Sequence, residues 1–258
     1  MSGPCVVWAI TMTTDHRVDL QPSFVLHLRP YRDTSAIVDL LTRDYGRVAV
    51  VAKGIRSAKS KQRGLLQTFF QVEASWLGKG ELKTLTGVEP VHHHVLSSTA
   101  LVGALYVNEL ILRVLPTLDP CESLYHAYTQ LLQVLRTHDN LEVALRVFEK
   151  SMLEALGYEL NLLSEANTGS EIENDAYYYY LPEHGPVRAK LQSTGLNESF
   201  CGRHLLAFAR DDFDDPATLA AAKRITRLAL KPLIGDRPLK SRELYLSMKR
   251  QQTVETEA

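Results

Sequence analysis

The densest chemical signal in the sequence is a run of positive charge. Lys53, Arg56, Lys59, Lys61 and Arg63 lie between Lys53 and Gly64, with no acidic residue among them. Their neighbours are mostly small or polar, which predicts a loop. A mobile basic loop can follow a phosphate backbone, with an affinity that falls steeply as salt rises. The same composition also suits a solubilising surface loop. Arg47 and Lys83, on neighbouring strands, complete the candidate set of cations. Tyr31 follows Pro30 outside the apolar alternation and is the best-placed aromatic to stack on a base. Phe24, Tyr45, Phe69, Phe70 and Trp76 have the rings for stacking but more commonly fill a core.

Other clusters offer less. His92, His93 and His94 are consecutive, and neighbours on an extended chain point to opposite sides, so a shared metal is awkward. Asp211, Asp212, Asp214 and Asp215 could hold Mg²⁺, but carboxylates also gather at a helix N-terminus for electrostatic reasons. Cys5, Cys121 and Cys201 are too few and too scattered for a disulfide framework or a four-cysteine zinc site. They fit reduced thiols in a cytoplasmic protein. No phosphate-loop, nucleophile-elbow or zinc-protease motif occurs. No catalytic residue, metal or cofactor is expected.

The elements that must carry the basic run come next. Phe24, Leu26 and Leu28 alternate with Val25, His27 and Arg29, the period of a strand. Ala36–Thr42, Val48–Ala52, Leu65–Leu77 and Glu81–Val88 read as four more, with turns at Asp44–Gly46 and Gly78–Gly80. Five short strands within residues 22–92 suggest a small closed barrel, since closure removes exposed edges. From residue 97 the period becomes helical. One helix ends at Pro116, a second spans Glu122–Thr137, and a third spans Leu141–Leu156 before Gly157. Residues 164–198 form an irregular insert interrupted by Tyr177–Tyr180, a short strand or an exposed aromatic patch. Helix returns at Ser199–Arg210, and Asp215–Pro216 opens another through Leu230. The helical part is expected over 97–250. Residues 1–21 fit the pattern badly and read as an N-terminal extension, with Met12 an alternative start. The apolar run Cys5–Ile10 is a poor signal peptide, and no apolar run approaches the ~18 residues of a membrane span.

Net charge is -1 and conceals its own distribution. Residues 23–90 hold eleven Lys/Arg against six Asp/Glu, a net of +5; residues 109–185 hold four against thirteen, a net of -9. Residues 220–250 hold nine against two, a net of +7. In this second basic zone Arg224, Arg227 and Lys231 share a helix face beside Lys223, and Lys240 and Arg242 extend it. A solvated amphipathic face and a second phosphate or acidic-peptide surface both fit.

The run FVLHLRPYRDTSAIVDLLTRDYGRVAVVAKGIR, then RGLLQTFFQV and GKGELKTLTGVEPV, resembles the N-terminal barrel of the RecO family. YVNELILRVLP, ALRVFEKSMLEALGYELN and AAKRITRLALKPLIGDRPLKSREL resemble its helical part, so six segments match in order over residues 22–248. The resemblance implies an α+β architecture, an OB-fold barrel followed by a mainly α-helical domain. It implies binding of single- and double-stranded DNA, annealing of complementary strands, and cooperation with RecR. It also implies a grip on the acidic C-terminal tail of single-stranded DNA-binding protein and help in loading RecA. By position, Lys53, Arg56, Lys59, Lys61 and Arg63 match the family's basic loop, and Arg146 lies where the tail is expected. Arg146 could equally pair with Glu142 or Glu149 on its own helix. Many relatives carry a four-cysteine zinc finger after the third helix; here only Cys201 lies in 164–205, so packing must stand in for zinc.

The expectation is a non-enzymatic, cytoplasmic DNA-repair mediator with no membrane association. The alternative is an adaptor that binds acidic peptides, with DNA incidental. A nuclease would need carboxylates clustered in a DNA groove, and the acids lie mainly in the middle segment.

Overall fold

The structure is a computed structural model, and it describes residues 16–60, 62–137, 140–189 and 199–244. The first five strands are β1 (Arg17–Tyr31), β2 (Ser35–Thr42), β3 (Gly46–Ala52), β4 (Phe70–Leu77) and β5 (Leu82–His93). They close in the order β1-β2-β3-β5-β4, and β3 meets β5 in parallel. This is the five-stranded OB-type barrel that the turn spacing predicts. β1 begins at Arg17, inside the stretch read as an extension, because Arg17 and Val18 pair with Leu77 and Trp76. β4 begins five residues later than expected, since turns occupy much of 62–69.

Val25, Val38, Leu40, Val48, Val50 and Trp76 lie in the barrel core. Phe24, Leu26, Leu41 and Phe69 point the other way and belong to the helical core. A bulge between Val25 and His27 shifts the pairing register, so Val25 and Leu28 both pack on the barrel core.

Helices α1 (Ser98–Val114), α2 (Glu122–Thr137) and α3 (Leu141–Ala155) follow the expected boundaries closely. Ser97 and Asn140 cap α1 and α3, and Gly157, with φ of 82°, follows α3 in the left-handed region. The described part of the insert, residues 164–189, is more ordered than expected. It holds β6 (Tyr177–Leu181) and β7 (Gly185–Arg188), which form a sheet with β8 (Phe200–Cys201) in the order β7-β6-β8. Tyr178 and Tyr180 are buried with Phe200, Leu205 and Phe208, while Tyr177 is exposed. The tyrosine run is therefore a strand with one face in a third core. Helix α4 (Gly202–Ala209) starts later than expected, and α5 (Pro216–Ile234) runs past Leu230 to end before Gly235. Among the described residues, no helix is long and apolar enough to cross a membrane.

Barrel and helices share a seam. The Phe24 ring lies 5.2 Å from that of Tyr125 and 5.0 Å from that of Tyr128. The buried Asn108 side chain donates to the Leu26 carbonyl at 2.8 Å and accepts from the Tyr128 hydroxyl at 2.6 Å. Gly46, with φ of 64°, passes so close to Asp119 that a Cβ would sit 1.7 Å from its carbonyl oxygen.

Candidate nucleic-acid interface

The basic loop leaves β3 at Ala52 and returns at Phe70. Two buried apolar residues, Ile55 and Leu66, pack into the barrel core and pin it. The Arg56 amide donates to the Thr34 carbonyl at 2.8 Å, and its guanidinium donates to the Arg32 carbonyl at 3.2 Å. The loop is thus tied to the β1–β2 turn. With apolar residues anchored inward, Lys53, Arg56, Lys59 and Arg63 remain exposed, and none forms an ion pair with a described residue. Lys61 lies outside the described residues.

The tie brings in two cations that the sequence reading left out. Arg29 and Arg32 are exposed beside Tyr31, and the Arg32 guanidinium lies 5.2 Å from the centre of the Tyr31 ring. Their signal was present in the LRPYRD stretch, but only the fold shows that this turn meets the loop. Tyr31 is half-buried, with Arg32 against its ring.

Two barrel candidates are engaged elsewhere. Arg47 donates to the Leu115 carbonyl at 2.9 Å and lies 3.6 Å from the Asp39 carboxylate, so it fastens the barrel to the end of α1. The Lys83 ammonium donates to the Gly78 carbonyl at 3.1 Å in the β4–β5 turn. Neither joins the loop cluster.

The second basic zone divides similarly. Lys223 pairs with Glu142 at 3.2 Å, and Arg224 lies 4.5 Å over the Phe200 ring. Arg227, Lys231, Lys240 and Arg242 are exposed. Lys240 and Arg242 sit in a helical turn at 240–244 that α1 holds in place. The Glu109 carboxylate accepts from the Lys240 amide at 3.0 Å, the Ser241 amide at 2.9 Å and the Ser241 hydroxyl at 2.8 Å. These bonds hold Glu109 below the usual carboxylate range despite its partial burial. Arg113 adds bonds to the carbonyls of Arg237 and Pro238.

Arg146 is not open to solvent. It is buried on α3, 2.7 Å from Glu149, and donates to the Thr226 hydroxyl on α5 at 3.2 Å. The Tyr106 hydroxyl on α1 donates to Glu149 at 2.7 Å. Burial pushes the Glu149 carboxyl up, against the pull of Arg146. Arg146 Nε and one Glu149 oxygen have no hydrogen-bond partner among the described residues. The pairing with Glu149 is present, but inside the helical core rather than on a helix surface.

The histidine run alternates along β5 as its extended chain predicts. His92 and His94 share a side, with ring centres 4.6 Å apart, while His93 stacks on Phe70. Arg136 lies at 3.2 Å from the His92 ring. Among the described residues no three His, Cys, Asp or Glu side chains are grouped to hold a metal. At 211–215, Asp215 accepts from the Ala217 amide as the α5 cap, and Asp211 pairs with Lys150 at 2.7 Å. In the insert, Arg188 binds Glu165 at 2.8 Å and also Glu173, beside the Tyr178 ring.

Two family models match the chain. Recombination protein O N terminal covers residues 20–94, and Recombination protein O C terminal covers 96–243. The chain belongs to the RecO family. The division between the two models falls where β5 gives way to α1. The DNA repair protein RecO of Cellvibrio japonicus is 43% identical over 230 residues, 89% of this chain and 97% of that one. That of Haemophilus influenzae is 44% identical over 228 residues, 88% of this chain and 95% of its own. That of Nitrosococcus oceani is 45% identical over 238 residues, 91% and 95% of the two chains. A RecO chain has a role in DNA repair and recombination.

Proposed function

We propose that this RecO chain is a non-enzymatic mediator that holds DNA on the pinned basic loop and anneals complementary strands. The observation that carries this is the loop itself. Ile55 and Leu66 anchor it, and Lys53, Arg56, Lys59 and Arg63 stay exposed without acidic partners among the described residues. Annealing needs no covalent step; cations that screen two strands lower their repulsion so that bases can pair. Lys61 belongs to the same run in sequence. Arg227, Lys231, Lys240 and Arg242 would supply a second contact for single- or double-stranded DNA, with Arg224 contributing where it lies over Phe200.

The family resemblance adds the partners. RecR would act with this chain, and together they would help load RecA onto strands coated by single-stranded DNA-binding protein. For that protein's acidic tail, Arg146 would have to exchange Glu149 for the incoming terminal carboxylate. Burial already biases Glu149 toward its neutral form, which would ease the exchange.

A salt titration of oligonucleotide binding tests the loop. Four phosphates neutralised on a single strand give a slope of about -3 in log affinity against log salt. That is a loss of about 50-fold between 50 and 200 mM salt. Reversing Lys59 and Arg63 together to Glu should weaken binding and flatten the slope. Binding that ignores both salt and the reversal would remove the loop from the DNA path. An adaptor for acidic peptides would bind the tail yet fail to anneal strands, so an annealing assay separates the two readings.

A further inference from the structure

We propose that Phe70 and His93, stacked on the barrel rim, form a platform for an unpaired base at the far end of the basic loop. The inference rests on the proposed DNA path and names a site along it. Phe70 pairs with His93 across β4 and β5. Their rings lie 4.0 Å apart and nearly parallel, at 17°. Phe70 packs against the barrel core, whereas His93 is exposed. A flat ring already supported from beneath offers its outer face to a base at little ordering cost. His93 is turned away from its neighbours: His92 and His94 meet each other, and His92 meets Arg136.

The position of the stack fits a strand path. The loop starts after Ala52, level with Ala36 and therefore with Pro30 on β1. It returns at Phe69, whose amide donates to the Val25 carbonyl. Five residues of β1 separate those levels, about 17 Å at strand rise. Tyr31 with Arg32 stands near one end and Phe70 with His93 at the other, and the loop that carries the exposed cations connects the two levels. That length suits the few nucleotides at the lower end of an OB-fold site, about 4 to 16. Val91 and Val95, exposed by 53% and 73%, add apolar surface close by in sequence. Stacking on His93 needs an unpaired base, so this end of the path would favour single strands over duplex.

The test uses the full chain, a fluorescein-labelled oligo-dT and a duplex of equal length, with affinities measured by anisotropy at several salt concentrations. His93 is exposed, so His93→Ala should fold as the parent does. It should weaken oligo-dT binding by about 5- to 150-fold, the range for loss of one stacked base. The salt slope should stay the same, because a stack neutralises no phosphate, and duplex affinity should not change. His93→Tyr should restore most of the loss. Unchanged oligo-dT affinity in His93→Ala, an equal loss on duplex, a slope shallower by about one phosphate, or no rescue by Tyr would each overturn the platform. Lys59→Glu with Arg63→Glu, measured alongside, separates the two claims. If that reversal weakens binding and His93→Ala does not, only the platform falls; if neither does, the DNA path itself is wrong.

Discussion

Acid should loosen the seam between barrel and helices through His94. Only 4% exposed, this side chain lies against Phe24, and neither ring nitrogen completes a well-formed hydrogen bond with a described residue. Its pKa is lowered from 6.5 to about 4, first by burial and then by the neighbouring His92 and Arg136. A base whose folded pKa is depressed is neutral in the fold, while the unfolded chain takes up the proton first as pH falls. The stability this lends is complete above pH 6.5 and drains away between 6.5 and about 4. From that gap the loss is about 2 kcal/mol at pH 5 and about 3 kcal/mol at pH 4. With a urea m-value of about 3 kcal/mol/M, the step from pH 7 to 5 lowers the midpoint by somewhat under 1 M. Other groups titrate too: bonds to Arg43 hold Asp44 low and so add to the acid loss, whereas Glu149, pushed up by burial, opposes it. The comparison with His94→Phe therefore carries the test. The variant should lose about 2 kcal/mol less than the parent between pH 7 and 5. Parallel losses in the two proteins would refute the assignment of this acid sensitivity to His94.

Three further substitutions probe what positions the interface. Gly46→Ala forces a Cβ onto the Asp119 carbonyl at a positive φ, so it should cost about 3 kcal/mol or more by urea unfolding. Asn108→Ala leaves the Leu26 carbonyl and the Tyr128 hydroxyl unpaired in the seam; a loss of about 2–4 kcal/mol is expected from the same measurement. Glu109→Gln keeps the shape but weakens the charged cap on residues 240–244, so protease should cut near Arg237 and Lys240 faster while the melting temperature falls by only a few degrees.

The barrel was legible because its strands are short, rich in β-branched and aromatic residues, and separated by turn residues. The alternation misled in one place. Phe24 and Leu26 alternate with Val25, yet all three are buried, because the helices cover the side of β1 that a lone barrel would expose to water. Segment-wise charge found the loop, but charge counts cannot tell an open cation from an engaged one. Arg47 and Lys83 donate to carbonyls, and Arg146 and Lys223 face carboxylates; each partner is set by tertiary contact. Glu149 lies near in sequence and was foreseen as a partner, but its burial was not. The β6–β7–β8 sheet stayed hidden because strands of five, four and two residues carry too few alternations to stand out from a loop. What fixes that sheet is the packing of Tyr178, Tyr180 and Phe200 on α4 and α5.

The same seam explains why the DNA path should lie at the loop end of the barrel. OB barrels commonly bind oligonucleotides across the face of strands two and three. Here β2 is buried almost along its whole length, and Leu41 points into the helical core. The helices take the Leu41 end of that face, which favours the open rim and its cations for the path proposed above. Removing the helices would not restore a working face. Phe24, Leu26, Leu41 and Phe69 would become an exposed apolar patch on β1, β2 and the end of the loop, which invites association rather than DNA. Residues 16–95 expressed alone should therefore aggregate, as measured by size-exclusion chromatography. A monodisperse, DNA-binding barrel from that segment would show that the helices are not needed to complete its core.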